Sequence, residues 1–407
     1  MIQLQELPFF VQAMGWPLAL LLAWLAGERL HTLWRVPRVS TYFAVGLLGG
    51  WLNLHGLTAA VTGLSFLANL ALALILFELG YRINLRWLRH NPWVLLLGLG
   101  ESALTFALVF WATGWFELSL EVRVILAALA VSTSPAVLLR VAHETRAAGQ
   151  VTERIMHLCA INCLVAVLLV KLVVGLWHVR AVGDWQAAAI GSVYALAISV
   201  AIGAAIGVAI PWLLRRVAAQ SQNLSVVFAI AVLLLTTAAY ALMLSPLLAA
   251  LVFGIVARER RIQLTNAQRG FGPIGELLGV FLFVYVGSLI VWADVWSSIW
   301  IALVLLGLRL FSKTACSLAV ARISGITLRK GLLSGLALVP LSAFFVLLLE
   351  QTRLYGFEPA QSAFAAMAAL MVLLGLIGPL VTQLCLNAAR ETHVTAATDH
   401  PVNPHRG

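Results

Sequence analysis

Charge is scarce in this sequence, and aspartate is scarcest of all. Of 407 residues only 10% are Asp, Glu, Lys or Arg, while 62% are hydrophobic. A water-soluble chain has no interior large enough for that much apolar surface, so lipid is the expected solvent. Runs of about 20 apolar residues recur along the whole length, each enough to cross ~30 Å of hydrocarbon. Aspartate occurs only at Asp184, Asp294 and Asp399, in loops or the tail. A carboxylate inside the membrane must therefore come from glutamate. Cysteine occurs at Cys159, Cys163, Cys316 and Cys385, each in an apolar segment. Their spacing fits neither a zinc site nor the disulfide framework of a secreted domain, and nothing else asks for a metal or organic cofactor. The alternating strands of an outer-membrane barrel are also missing. The first apolar run passes into Glu28 and Arg29 without a small-residue cleavage pattern, so it reads as a retained helix. The formal net charge is +10, but the basic residues are scattered over short loops. That is a topology signal, not a nucleic-acid surface. The expected partner is the bilayer.

What is present is a series of hydrophobic helices. The expected fold class is an all-α polytopic membrane protein with about 13 transmembrane helices. They centre on residues 17–33, 39–54, 62–82, 92–115, 122–142, 152–177, 186–214, 224–243, 246–258, 274–293, 298–322, 331–351 and 360–388. The second and ninth are short for a full span and are expected to tilt or to pack inside the bundle. Loops on one side carry the arginines, among them Arg82, Arg86, Arg89, Arg146, Arg215, Arg216, Arg258, Arg261, Arg269 and Arg322. Loops on the other side hold Glu117, Glu121, Asp184, Asp294, Glu350 and Glu358. The positive-inside rule puts the arginine side in the cytoplasm, with the N-terminus outside and the C-terminus inside. Residues 391–407 read as a short disordered cytoplasmic tail, and 1–390 as the membrane domain.

An internal repeat is expected. Pro37 and Pro246 open similar short segments; Gly80 and Gly287, and Pro135 and Pro340, are matched as well, at separations of 209, 207 and 205 residues. Repeat one covers 17–177, a linking helix covers 186–214, and repeat two covers 224–388. One odd linking helix inverts the second repeat, and paired, Pro-interrupted helices in inverted repeats point to a transporter site. The interruptions are Ser132-Thr133-Ser134-Pro135 and Pro340-Leu341-Ser342. Proline removes a backbone donor, and the freed groups must be satisfied inside protein or in a wet cavity. Charges within the membrane are site candidates by default. Lys313 and Asn162 each lie ~15 Å from the cytoplasmic end of their helices, and Glu101 is similarly deep. Arg309 is one turn from Lys313. Glu78 reads as able to snorkel, Lys171 as snorkelling, and His157 as interfacial.

The segments "VPRVSTYFAVGLLGG", "LFELGYRINLRWLRHNP", "STSPAVLLRVAHE", "LSPLLAALVFGIVAR", "FLFVYVGSLI" and "KTACSLAVARISG" resemble the monovalent cation/proton antiporter superfamily, especially its bacterial sodium/proton exchanger and potassium-efflux branch. The resemblance covers roughly residues 17–390. It implies a dimerisation domain, a mobile core with two crossed broken helices, elevator-type exchange of Na+ or K+ for protons, a homodimer, and a place in the bacterial inner membrane. It also implies site residues: Thr133, Ser134 and Pro135 match the first broken helix, Ser342 lies in the second, and Lys313 takes the family's basic position. The family's Asp-Asp or Asn-Asp pair falls on Asn162-Cys163, so Cys163 stands where the ion-binding carboxylate is expected. A thiol is a poor ligand for hard cations. Glu101 is then the candidate for a relocated acid, with Asn162, Thr133 and Ser134 as oxygen ligands. Two other readings stay open. The scaffold could carry an anion or organic acid on Lys313 and Arg309, or it could be a non-transporting sensor or scaffold.

Overall fold

A computed structural model describes residues 7–52, 62–182, 185–217, 224–242, 244–260, 264, 271–354 and 359–392. These residues form helices and connections, with no strand among them. The helices are α1 (Leu7–Trp34), α2 (Arg38–Trp51), α3 (Thr62–Arg82), α4 (Leu85–His90), α5 (Pro92–Ala112), α6 (Leu120–Val131), α7 (Pro135–Glu144), α8 (Gln150–Val182), α9 (Trp185–Val217), α10 (Leu224–Ala241), α11 (Pro246–Glu259), α12 (Gly272–Ser288), α13 (Trp292–Ser297), α14 (Ile299–Ala321), α15 (Leu328–Ala337), α16 (Phe344–Leu354) and α17 (Pro359–Ala388). Within the described residues every expected segment falls largely on helix, and 122–142, 274–293 and 331–351 are each divided in two. Among the described residues, eight helical stretches are long and apolar enough to cross a membrane. The expected tail lies outside the described residues from 393 onward, as do Asp184, Arg261, Arg269 and Glu358.

Two short helices depart from the expected segments. Asn84 accepts a hydrogen bond from Trp87 N at 3.1 Å and so starts α4, while Pro92 opens α5 directly after Asn91. The expected helix 274–293 ends instead at Ser288, and α13 follows from Trp292. Both extra helices have six residues, too few for a hydrophobic period to register.

Burial grades from the centre outward. The window over Leu120–Glu144, which contains the first break, is 89% buried, against 17% for Val193–Leu214 on α9. The broken helix is therefore the axis of the bundle and α9 is peripheral. Helices α2 and α11, of 14 residues each, pack against α12 and α3 respectively. Glycine makes both crossings possible. A methyl group at Gly46 would strike the Val284 carbonyl, and one at Gly287 the Phe43 carbonyl. In the second crossing, Gly80 faces Leu251 O and Gly254 faces Phe77 O in the same way. Backbones this close lock by van der Waals contact, which lipid cannot replace.

Candidate functional site

The first break follows from local chemistry. Pro135 lacks an amide hydrogen and pushes Ser134 out of the helical region, to φ −79° and ψ 106°. Ser134 Oγ then accepts from Val137 N at 3.3 Å and caps α7. The second break runs from Leu338 to Ala343, and Ser342 Oγ accepts from Phe344 N at 3.3 Å. Ser134 and Ser342 thus serve as caps. The breaks bind each other: Ser134 N donates to Pro340 O at 2.9 Å, and Thr133 Oγ1 donates to Leu338 O at 3.2 Å.

Arg309 on α14 pins this crossing. Its guanidinium donates to Ala130 O, and to Ser132 O and Val339 O at 3.0 Å each. One fully buried cation therefore holds carbonyls from both breaks. Four residues later, Lys313 Nζ lies 3.5 Å from Val131 O. Both cations sit at the C-terminal end of α6, where the helix dipole is negative.

Beside the pin lies a closed square of side chains. Lys313 Nζ donates to Glu101 Oε1 at 2.5 Å and to Thr133 Oγ1 at 3.1 Å. Asn162 Nδ2 donates to the same two oxygens, at 2.7 and 3.1 Å. All four residues are 0% exposed. Around them, Ser102 Oγ donates to Asn162 Oδ1 at 3.2 Å, and Thr105 Oγ1 pairs with Ser312 Oγ at 2.7 Å. Glu101 Oε2 is buried and has no partner among the described residues. A buried ion pair like this is tolerated because each charge has the other plus further hydrogen bonds; removing one partner alone typically costs about 3–5 kcal/mol.

Four candidates thus meet: Glu101, Asn162, Thr133 and Lys313. Arg309 is spent on carbonyls. Cys163 stays outside the square, with its thiol donating to Thr133 O at 3.2 Å. Ser102, Thr105, Ser312 and Cys159 were not singled out from the sequence. Helical spacing was the available signal, since Ser102 and Thr105 adjoin Glu101 and Ser312 precedes Lys313.

Two lesser expectations are corrected. Glu78 does not snorkel: it is 6% exposed, with Oε1 3.1 Å from Arg82 Nη2 and from His143 Nε2. His157 is not interfacial: it is 1% exposed, and its Nε2 accepts from Asn84 N at 3.1 Å.

The sequence profile of the family described as "Sodium/hydrogen exchanger, transmembrane" matches residues 18–388. The chain belongs to that family. This exchanger also shares its fold with two solved structures of the sodium proton antiporter MjNhaP1 from Methanocaldococcus jannaschii. One, at pH 8, is 16% identical, with a TM-score of 0.70 over 95% of this chain and 98% of the other. The second, an electron-microscopy map, is also 16% identical, with a TM-score of 0.71 and full coverage of both chains. No curated protein matched the sequence. The exchanger is therefore a multi-pass membrane transporter of the cation/proton antiporter class, not an enzyme, in a family whose cargo is sodium and protons.

Proposed function

We propose that this exchanger swaps one monovalent cation, sodium or potassium, for one proton at the Glu101–Lys313 pair. The observation that carries the reading is the position of the Lys313 ammonium. Its acceptors are Glu101 Oε1, Thr133 Oγ1 and Val131 O, at 2.5, 3.1 and 3.5 Å. An all-oxygen set that includes one carboxylate suits a hard cation. The unpartnered Glu101 Oε2 adds a further oxygen. A cation entering this set displaces the ammonium from Glu101. A buried ammonium without its counter-ion is too costly to keep, so Lys313 releases its proton to the open side. The site's formal charge is unchanged, and cation and proton exchange one for one. Cys163 has no part in the step, and Glu101 does the work of the carboxylate expected at that position.

The body that moves is, in this reading, the crossing with α5, α8 and α14. The hydrogen bonds between the breaks and the three-carbonyl grip of Arg309 support its travelling as one piece, which is an elevator motion. The glycine crossings support two inverted repeats. Gly46 and Gly254 stand 208 residues apart, Gly80 and Gly287 stand 207 apart, and each crossing pairs the 14-residue helix of one repeat with a longer helix of the other. The homodimer, the bacterial inner membrane and the N-outside, C-inside orientation belong to the same proposal.

The anion reading has one observation in its favour: Lys313 and Arg309 together exceed the single charge of Glu101. Arg309, however, is already occupied by carbonyls. Proteoliposomes separate the readings. Sodium or potassium should collapse an imposed pH gradient through the parent protein, and Glu101→Gln should fall to the level of empty liposomes. Normal exchange by Glu101→Gln rejects Glu101 as the carrier; anion uptake without any cation effect rejects the antiport reading.

A further inference from the structure

Two groups beside the square have no part in the exchange step. Cys159 and Cys163 stand four residues apart on α8 and so share one face. They are 0% and 2% exposed. Both thiols donate to one oxygen, Thr133 O, at 3.5 and 3.2 Å, so they converge on one point. A single small residue would fill either position, and a single thiol would satisfy that carbonyl. Two converging sulfurs are more than packing requires.

Their surroundings decide what they suit. Sodium prefers the oxygens next door, whereas thiolates select soft closed-shell ions. Charge favours the same class. Glu101 carries one negative charge, and Lys313 and Arg309 carry two positive, leaving a buried formal excess of one positive charge. A monovalent ion held by two thiolates forms a complex of charge minus one, which cancels that excess. An apolar crevice lined by Leu76, Val167, Leu248 and Phe344 reaches Cys163.

We propose that Cys159 and Cys163 form a two-thiol site for one soft monovalent cation of the Cu(I) or Ag(I) class. Binding replaces two S–H bonds with two metal–sulfur bonds, releases two protons and changes no oxidation state. It also removes both donors from Thr133 O, at the centre of the broken helix. An ion held there perturbs the crossing without entering the oxygen site.

The test uses silver ion and the full chain in detergent, in chloride-free buffer, with Cys316→Ser and Cys385→Ser in the background. That protein should retain one silver per chain, with two sulfur ligands by X-ray absorption. Adding Cys159→Ala or Cys163→Ala should weaken retention by more than about tenfold, with monodisperse elution as the check on folding. Three results overturn the site: silver no higher than in the fully cysteine-free protein, oxygen or nitrogen ligation, or undiminished retention by either single variant. Binding is read without transport, so its outcome is independent of the sodium/proton reading.

Discussion

Glu101 Oε1 receives hydrogen bonds from both Lys313 and Asn162 in a site with no exposed surface. The pair can be tested by what happens when one half is removed. Lys313→Ala leaves a carboxylate buried and unmatched, and should lower stability by about 3–5 kcal/mol, whereas Glu101→Leu with Lys313→Met removes both charges and should return to within about 1 kcal/mol of the parent. Thermal unfolding in detergent measures both. Neither variant should exchange sodium for protons. Cys163 gives the opposite contrast. Its thiol donates to Thr133 O, so Cys163→Ala should keep exchange, whereas an ionised Cys163→Asp would set two oxygens face to face and should disturb the break. Full loss of exchange in Cys163→Ala would return the carrier role to that position. The square was legible in the sequence because Glu101, Asn162 and Lys313 are polar groups inside apolar runs. The partners of Arg309 were not, because they are backbone carbonyls brought together only when the breaks cross. Ser102 and Ser312 escaped notice because serine in a membrane helix is usually satisfied by its own backbone.

Between elements, the contacts that matter are close ones. Gly254 lies against the Phe77 carbonyl, so Gly254→Val should force α3 and α11 apart and cost at least about 1–3 kcal/mol. Loss of the folded elution peak, or a drop in unfolding temperature, reads this out; an unchanged peak and temperature would mean the helices tolerate a wider crossing. A second contact joins the segment just after α17 to the site helix. The Glu391 carboxylate accepts from Val151 N, Thr152 N and Thr152 Oγ1, each at 2.8 Å, at the start of α8. It is a helix cap supplied from far along the chain, so Glu391→Ala should cost about 0.5–2 kcal/mol. The loss should appear first as faster hydrogen exchange in the first turn of α8. This cap was illegible beforehand, since the sequence around Glu391 reads only as a polar tail. The two broken helices, by contrast, were legible because Pro135 and Pro340 are matched 205 residues apart beside serine and threonine; proline alone was no guide, since Pro17, Pro211 and Pro379 lie within continuous helices.

For the whole molecule, composition and loop charge supplied the membrane class, the helical segments and the expected sidedness. They gave about 13 crossings; among the described residues eight stretches are long and apolar enough to span, and α2, α11 and α12 are shorter than these. Sidedness has a direct check. In a cysteine-free background, Arg216→Cys should react with a membrane-impermeant maleimide only from the cytoplasmic face, and Glu117→Cys only from outside. Labelling of both from one face would reverse the assignment of that half of the chain.

Arg309 bears on fidelity as well as architecture. Because a single guanidinium grips carbonyls from both breaks, neither half-helix can swing aside while the other stays. Under the exchange proposed above, that coupling would keep an ion from passing without its counterpart and so guard the proton gradient against idle leakage. Loosening the grip with Arg309→Lys should produce a transporter that still turns over but wastes protons, visible as sodium-independent decay of a pH gradient.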